Sequence, residues 1–188
     1  LSDMGKRHPV TRGLEGSASD PPHWSRFFRQ VDTRNTTGSA VMEGIDGKPL
    51  LVLSRQGEGR VALLLSDHIW LWARGYEGGG PHLDLLRRLS HWLMKQPDLD
   101  EEALRLSVAG RDLVVTRQTM EDSVSPVTVT SPGGATRELT LASGDPGQWR
   151  GGLWAGALEQ GLRVDVIRWC RERAGTFLNL PRASASSS

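Results

Sequence analysis

Apolar residues along this chain fall in short blocks. Leu50-Leu51-Val52-Leu53 and Val61-Ala62-Leu63-Leu64-Leu65 are continuous runs, parted by Arg55-Gln56-Gly57-Glu58-Gly59-Arg60. Runs without alternation predict strands buried on both faces, as in a helix-covered sheet. The glycines between them allow a hairpin. Val41-Met42-Glu43-Gly44 leads into this pair through the turn Asp46-Gly47-Lys48-Pro49. From His82 the period lengthens. Leu83, Leu86, Leu89 and Leu93 recur at helical spacing, with Leu85, Trp92 and Met94 widening the stripe. This predicts a helix that Pro81 starts and Pro97 stops.

After residue 106 the pattern turns β. Leu113-Val114-Val115-Thr116, Val127-Thr128-Val129-Thr130 and Leu139-Thr140-Leu141 are short β-branched runs, and Ser131-Pro132-Gly133-Gly134 is a strong turn signal. Evenly spaced short strands predict a small β-sandwich. A boundary is expected near 97–106, with 98–106 as an acidic helix or linker. Residues 1–40 read as a long irregular segment that must pack on a scaffold, with one helical turn at Trp24-Ser-Arg-Phe27-Phe28-Arg-Gln-Val31. Val166 to Arg173 looks amphipathic and helical, and the Ser/Ala end is low-complexity.

Composition narrows the class. Of 188 residues, 37% are hydrophobic and 22 are Gly, which excludes a wholly disordered chain. The net charge of +1 gives no general footprint for nucleic acid. Of the 23 basic residues only Lys6, Lys48 and Lys95 are lysine. A GC-rich genome explains such a bias as readily as carboxylate binding does. The 7 tryptophans against 3 Phe and 1 Tyr mark packing anchors. Cys170 is the only cysteine, so an intramolecular disulfide and a cysteine-based zinc cluster are excluded. No window of about 18 apolar residues predicts a transmembrane helix. The start lacks an initiator Met and a signal-peptide core, and reads as a piece of something longer.

Four stretches together resemble a known family. They are His8-Pro9-Val10-Thr11-Arg12-Gly13-Leu14, Gly57-Glu58-Gly59-Arg60-Val61-Ala62-Leu63-Leu64, Ser66-Asp67-His68-Ile69-Trp70-Leu71-Trp72 and Leu86-Arg87-Arg88-Leu89-Ser90-His91-Trp92-Leu93. They resemble the class I glutamine amidotransferase-like region of large bacterial membrane proteins. The resemblance covers roughly residues 5–150. It is specific at the Gly-Arg-Val, Asp, Trp-x-Trp and Trp-Leu positions and loose elsewhere. It implies the C-terminal part of a flavodoxin-like α/β domain over 1–97, then a partial immunoglobulin-like sandwich over 107–164. Membrane spans lie outside this region in full-length relatives. After about residue 164 the chain departs from that pattern, so 165–188 is expected to be a divergent, partly disordered tail, as from a frameshifted or truncated gene product. Class I amidotransferases place a nucleophilic Cys on a strand-to-helix turn, with a later His-x-Glu. Neither occurs here, and Cys170 lies outside the matching region.

Candidate ligand-binding residues are Asp67, His68, Trp70, Trp72, Gly78, Gly79, Gly80 and His82. Ser66-Asp67-His68 contains the three residue types of a hydrolase triad, but triad members meet through the fold rather than by adjacency. The plainer expectation is that Asp67 caps the following turn or pairs with an arginine. The Gly75–Gly80 loop before a helix could hold an anion, yet it lacks the lysine and hydroxyl of a P-loop. Trp70, Trp72 and Trp92 could form a glycan platform; as core residues they would staple the Trp-rich turn to the helix. His8-Pro9 reads as structural, the residue before proline being extended at the start of a strand. His82 and His91 stand too far apart on one helix for a shared metal, so no metal and no cofactor is expected.

The expected function is a non-catalytic structural or binding module of a membrane-associated amidotransferase-like protein. Its expected partner is the rest of that protein, not nucleic acid. Alternatives are part of an amidotransferase or hydrolase whose nucleophile lies upstream, and a glycan-binding module using Trp70 and Trp72. An incomplete sheet is expected to expose an edge and self-associate.

Overall fold

The structure is a computed structural model that describes residues 1–33, 36–109, 112–130 and 136–154. The expectations for residues 131–134, for Cys170 and for the tail from 165 onward lie outside the described residues.

Ser2 opens α1 (Asp3–Arg7), its hydroxyl accepting the Gly5 N–H at 2.9 Å. That cap makes Asp3–Arg7 the helical turn of the first forty residues. The Trp24–Val31 stretch carries no helix. It packs Trp24 and Phe27 onto the first core instead. His8 is extended, as expected before a proline, but it closes α1 and starts no strand.

Strands β1 (Ser39–Glu43), β2 (Pro49–Gln56) and β3 (Gly59–Leu64) form an antiparallel sheet in that order. Leu50, Leu51, Val52 and Leu53 of central β2 are all buried, as a continuous apolar run requires. β3 departs from the expectation of burial on both faces. It is the edge strand, and Val61 and Leu63 are 48% and 44% exposed. The short helix α2 (Trp70–Ala73) and the helix α3 (His82–Leu93) follow, α3 lying beside β3. The buried line of α3 is Leu85 and Trp92, with Leu89 packed against the core. Leu83 and Met94, counted in the predicted stripe, face solvent. The seven-residue step from Leu85 to Trp92 sets the buried face, because two turns return a side chain to one side. Trp92 and Trp72 join Val10, Leu14, Val41 and Leu51 in this core.

The second part is all β. β4 (Ala103–Ala109), β5 (Asp112–Gln118), β8 (Ala142–Ser143) and β9 (Gln148–Trp154) form a sheet in the order β4-β5-β9-β8. β6 (Val127–Thr130) pairs with β7 (Thr136–Leu139). Val115, Val127 and Leu141 form a separate core, with Leu104, Leu106, Leu139 and Trp149 against it. β4 begins inside the stretch 98–106 read as a connection. The described residues thus form three antiparallel sheets with few helices, and no parallel strand pair occurs among them.

The two parts meet along the N-terminal segment. Arg7 donates to the Met120 carbonyl at 3.0 Å and pairs with Asp122 at 2.5 Å. Arg12 donates to Gln118, and a Cβ on Gly147 would meet the Arg7 carbonyl at 2.9 Å.

Candidate functional site

The Ser66–His82 stretch is built around Trp72. Its indole is buried, stacks on Phe27 with ring centres 4.9 Å apart and donates Nε1 to the Ser25 carbonyl at 2.9 Å. The glycines answer to that ring. A Cβ on Gly80 would lie 2.4 Å from the indole, and Gly79, at φ 72°, would lie 2.8 Å from the Trp72 carbonyl. Gly79 also accepts the Ser25 N–H at 2.8 Å. Gly78, at φ 92°, turns the chain ahead of them. Close packing and left-handed backbone therefore explain these glycines.

Ser66, Asp67 and His68 do not assemble a triad. The buried Ser66 hydroxyl donates to the Arg29 carbonyl at 2.7 Å and accepts the His68 N–H at 3.2 Å. Ser66, not Asp67, thus shapes the turn that Asp67 was expected to cap. The Asp67 carboxylate points to solvent, 3.7 Å from His68 Nε2, and among the described residues it pairs with no arginine. His68 Nδ1 is enclosed without a partner among the described residues. His82 starts α3, its N–H on the Gly80 carbonyl at 2.7 Å.

Of the three tryptophans expected in the core, Trp72 and Trp92 are there. Trp70 is half-exposed, with the Arg74 guanidinium 5.6 Å from its ring centre. Phe28, 67% exposed, tilts against Tyr76 at 5.1 Å and meets the His68 ring edge-on at 6.0 Å. Among the described residues the exposed large aromatics are thus Phe28, Tyr76 and Trp70, and Trp72 has no free face.

A more elaborate polar cluster lies at the junction of the two parts, where sequence reasoning placed no site. Glu101 accepts from His8 Nε2 at 3.2 Å, from Trp92 Nε1 at 3.1 Å, and from Arg55. The Val10 N–H, which can only donate, reaches His8 Nδ1 at 3.2 Å. That bond fixes the tautomer, so Nε2–H faces the carboxylate. Asp100 pairs with Arg60 and lies 3.6 Å from Arg55. Arg60 also donates to the Trp92 carbonyl at 2.7 Å and sits 5.1 Å from its ring centre. Burial alone would raise the Glu101 pKa. Hydrogen bonds from His8 and Arg55 and the Arg55 charge outweigh it and hold the carboxyl at about 2. A carboxylate so committed is a poor base and serves to join elements. The signal in the sequence was an acidic run, Asp100-Glu101-Glu102, just ahead of β4.

Among the described residues no group of three or more His, Cys, Asp or Glu side chains could hold a metal ion. Among them, too, no helix is long and apolar enough to cross a membrane. The chain matches no family model, no curated protein and no solved structure.

Proposed function

We propose that this chain is a non-catalytic structural or binding module, part of a larger membrane-associated bacterial protein of the class I glutamine amidotransferase-like kind. In this reading residues 1–97 are the C-terminal part of a flavodoxin-like domain, and the β segment after them is immunoglobulin-like. The observation that carries it is the use made of the polar groups in the family-like stretches and of the carboxylates of Asp100 and Glu101 that bind them. The Ser66 hydroxyl is spent on backbone, and Asp100 and Glu101 are spent on Arg55, Arg60, His8 and Trp92. Such groups fasten elements together, and among the described residues those named here leave no nucleophile beside a base. The reading includes self-association through the open edge of β3. A glutaminase assay on the full chain tests it. No turnover is expected; turnover that disappears in Cys170→Ala overturns the proposal in favour of an amidotransferase.

A second reading, a glycan-binding module, is favoured by the exposed rings of Phe28, Trp70 and Tyr76. It now rests on Trp70 without Trp72. Saturable quenching of tryptophan fluorescence by oligosaccharides, lost in Trp70→Ala, would support it; no quenching would end it.

A further inference from the structure

The face of the β4-β5-β9 sheet turned away from its core carries a row of three polar residues. Register places Arg105 opposite Thr116 and Thr116 opposite Arg150. Neighbouring strands lie about 4.8 Å apart, and side chains in one row share a face. Both arginines therefore rise from the strands on either side of Thr116; the Arg105 guanidinium is held at the Pro97 carbonyl at 2.9 Å, and that of Arg150 reaches along its strand to Gln148. Thr116 Oγ1 makes no hydrogen bond among the described residues. One step along the same face, Gln118 stands opposite Gln148. The Gln118 amide oxygen accepts from Arg12, and that of Gln148 accepts from Arg150 at 3.2 Å.

We propose that this face binds a phosphoryl group, held by Arg12, Arg105 and Arg150 with Thr116 beneath it. Among the described residues neither Arg12 nor Arg150 has an ion-pair partner, and their acceptors are the neutral amides just named. Arg12 is also half-buried, which is unusual for a guanidinium without a carboxylate. Burial pulls its pKa down. The Asp145 charge opposes this, and Arg88, Arg105 and Arg150 lower the value further. Arg88 is tied in directly, donating to the Arg12 carbonyl at 2.6 Å.

Nearby carboxylates do not neutralise the group. Asp98 is 3.1 Å from Arg105, and Asp84 is shared by Arg88 at 2.7 Å and Arg87 at 2.5 Å. With Asp145 that makes three acids against five guanidiniums, Arg12, Arg87, Arg88, Arg105 and Arg150. A tetrahedral dianion suits the arrangement better than a carboxylate. It can take a guanidinium fork on two sides and a hydroxyl below, whereas a planar carboxylate fills one fork.

The experiment is calorimetry on the full chain with inorganic phosphate and pyrophosphate, against chloride at matched ionic strength. A parallel arm measures co-sedimentation with phosphatidic acid vesicles and with phosphatidylcholine vesicles. Saturable binding of the free ions assigns a soluble phosphorylated ligand; binding to phosphatidic acid alone assigns a lipid headgroup. In either case Arg150→Gln should weaken binding about tenfold, the loss of one charge-assisted contact. Thr116→Val should weaken it less. Arg74→Gln, which makes the same change in net charge just after α2, should leave it unchanged. Thermal unfolding without ligand checks that each variant is folded. Absence of saturable binding in both arms overturns the proposal, as does equal weakening by Arg74→Gln and Arg150→Gln.

Discussion

Glu101 receives side chains from three places: His8 just after α1, Arg55 on β2 and Trp92 on α3. Its folded pKa is lowered from 4.5 to about 2. The stabilisation is therefore complete above about pH 4.5 and is lost as pH falls toward 2. The displacement corresponds to roughly 3 kcal/mol for a side chain that is only 17% exposed. Glu101→Gln keeps the shape and removes the charge. Its denaturation at pH 7 should show a loss of about 2–3 kcal/mol, and its acid limb should be flatter than that of the parent between pH 4.5 and 2. An unchanged midpoint at pH 7 would contradict this role. Little of the cluster was legible beforehand. His8, Arg55 and Glu101 are far apart in sequence, and only the fold brings them within bonding distance. Asp67 was legible but misleading: the turn residue beside it, Ser66, supplies the hydroxyl that caps the backbone.

On the scale of elements, the apolar runs foretold β2, β3, β5, β6 and α3. Their burial was less legible than their existence. The leucines of α3 at 83, 86, 89 and 93 suggested one stripe, yet the buried positions are 85 and 92. Arg60 decides this, because it reaches the Trp92 carbonyl and ring from β3 and holds that side of the helix against the sheet. Trp92→Ala should cost about 3–5 kcal/mol in chemical denaturation. Leu83→Ala, at an 81% exposed position, should stay within about 0.5 kcal/mol. Comparable losses would mean that the stripe faces the other way. β4 was missed although Leu104, Leu106 and Val108 alternate with polar residues, the period-two signal of a half-buried strand. β9 was hidden by Gly151-Gly152; a Cβ on Gly151 would meet Leu141 at 2.8 Å, so packing rather than propensity places it.

For the molecule as a whole, one core gathers side chains between Leu1 and Leu99 and the other between Leu104 and Trp149. The open side is β3. The Leu65 N–H bonds the Leu50 carbonyl at 2.8 Å. Ladder alternation then turns the N–H and C=O groups of Arg60, Ala62 and Leu64 away from β2. With Val61 and Leu63 exposed beside them, that edge is a template for pairing. Light scattering after size exclusion should show mass rising with concentration, and Val61→Lys with Leu63→Lys should restore the monomer. A parent chain that stays monomeric throughout would rule this out. The opposite end of the molecule sets a different condition. Arg7 and Arg12 find their partners 106 to 113 residues further along, at Gln118 and Met120. Loops of that size close slowly, so these contacts raise the contact order of an otherwise local fold. The first core can gather from neighbouring segments, but the seam between the cores must wait for the β5 end of the second sheet. In folding, the segment that comes first in sequence is among the last to be secured.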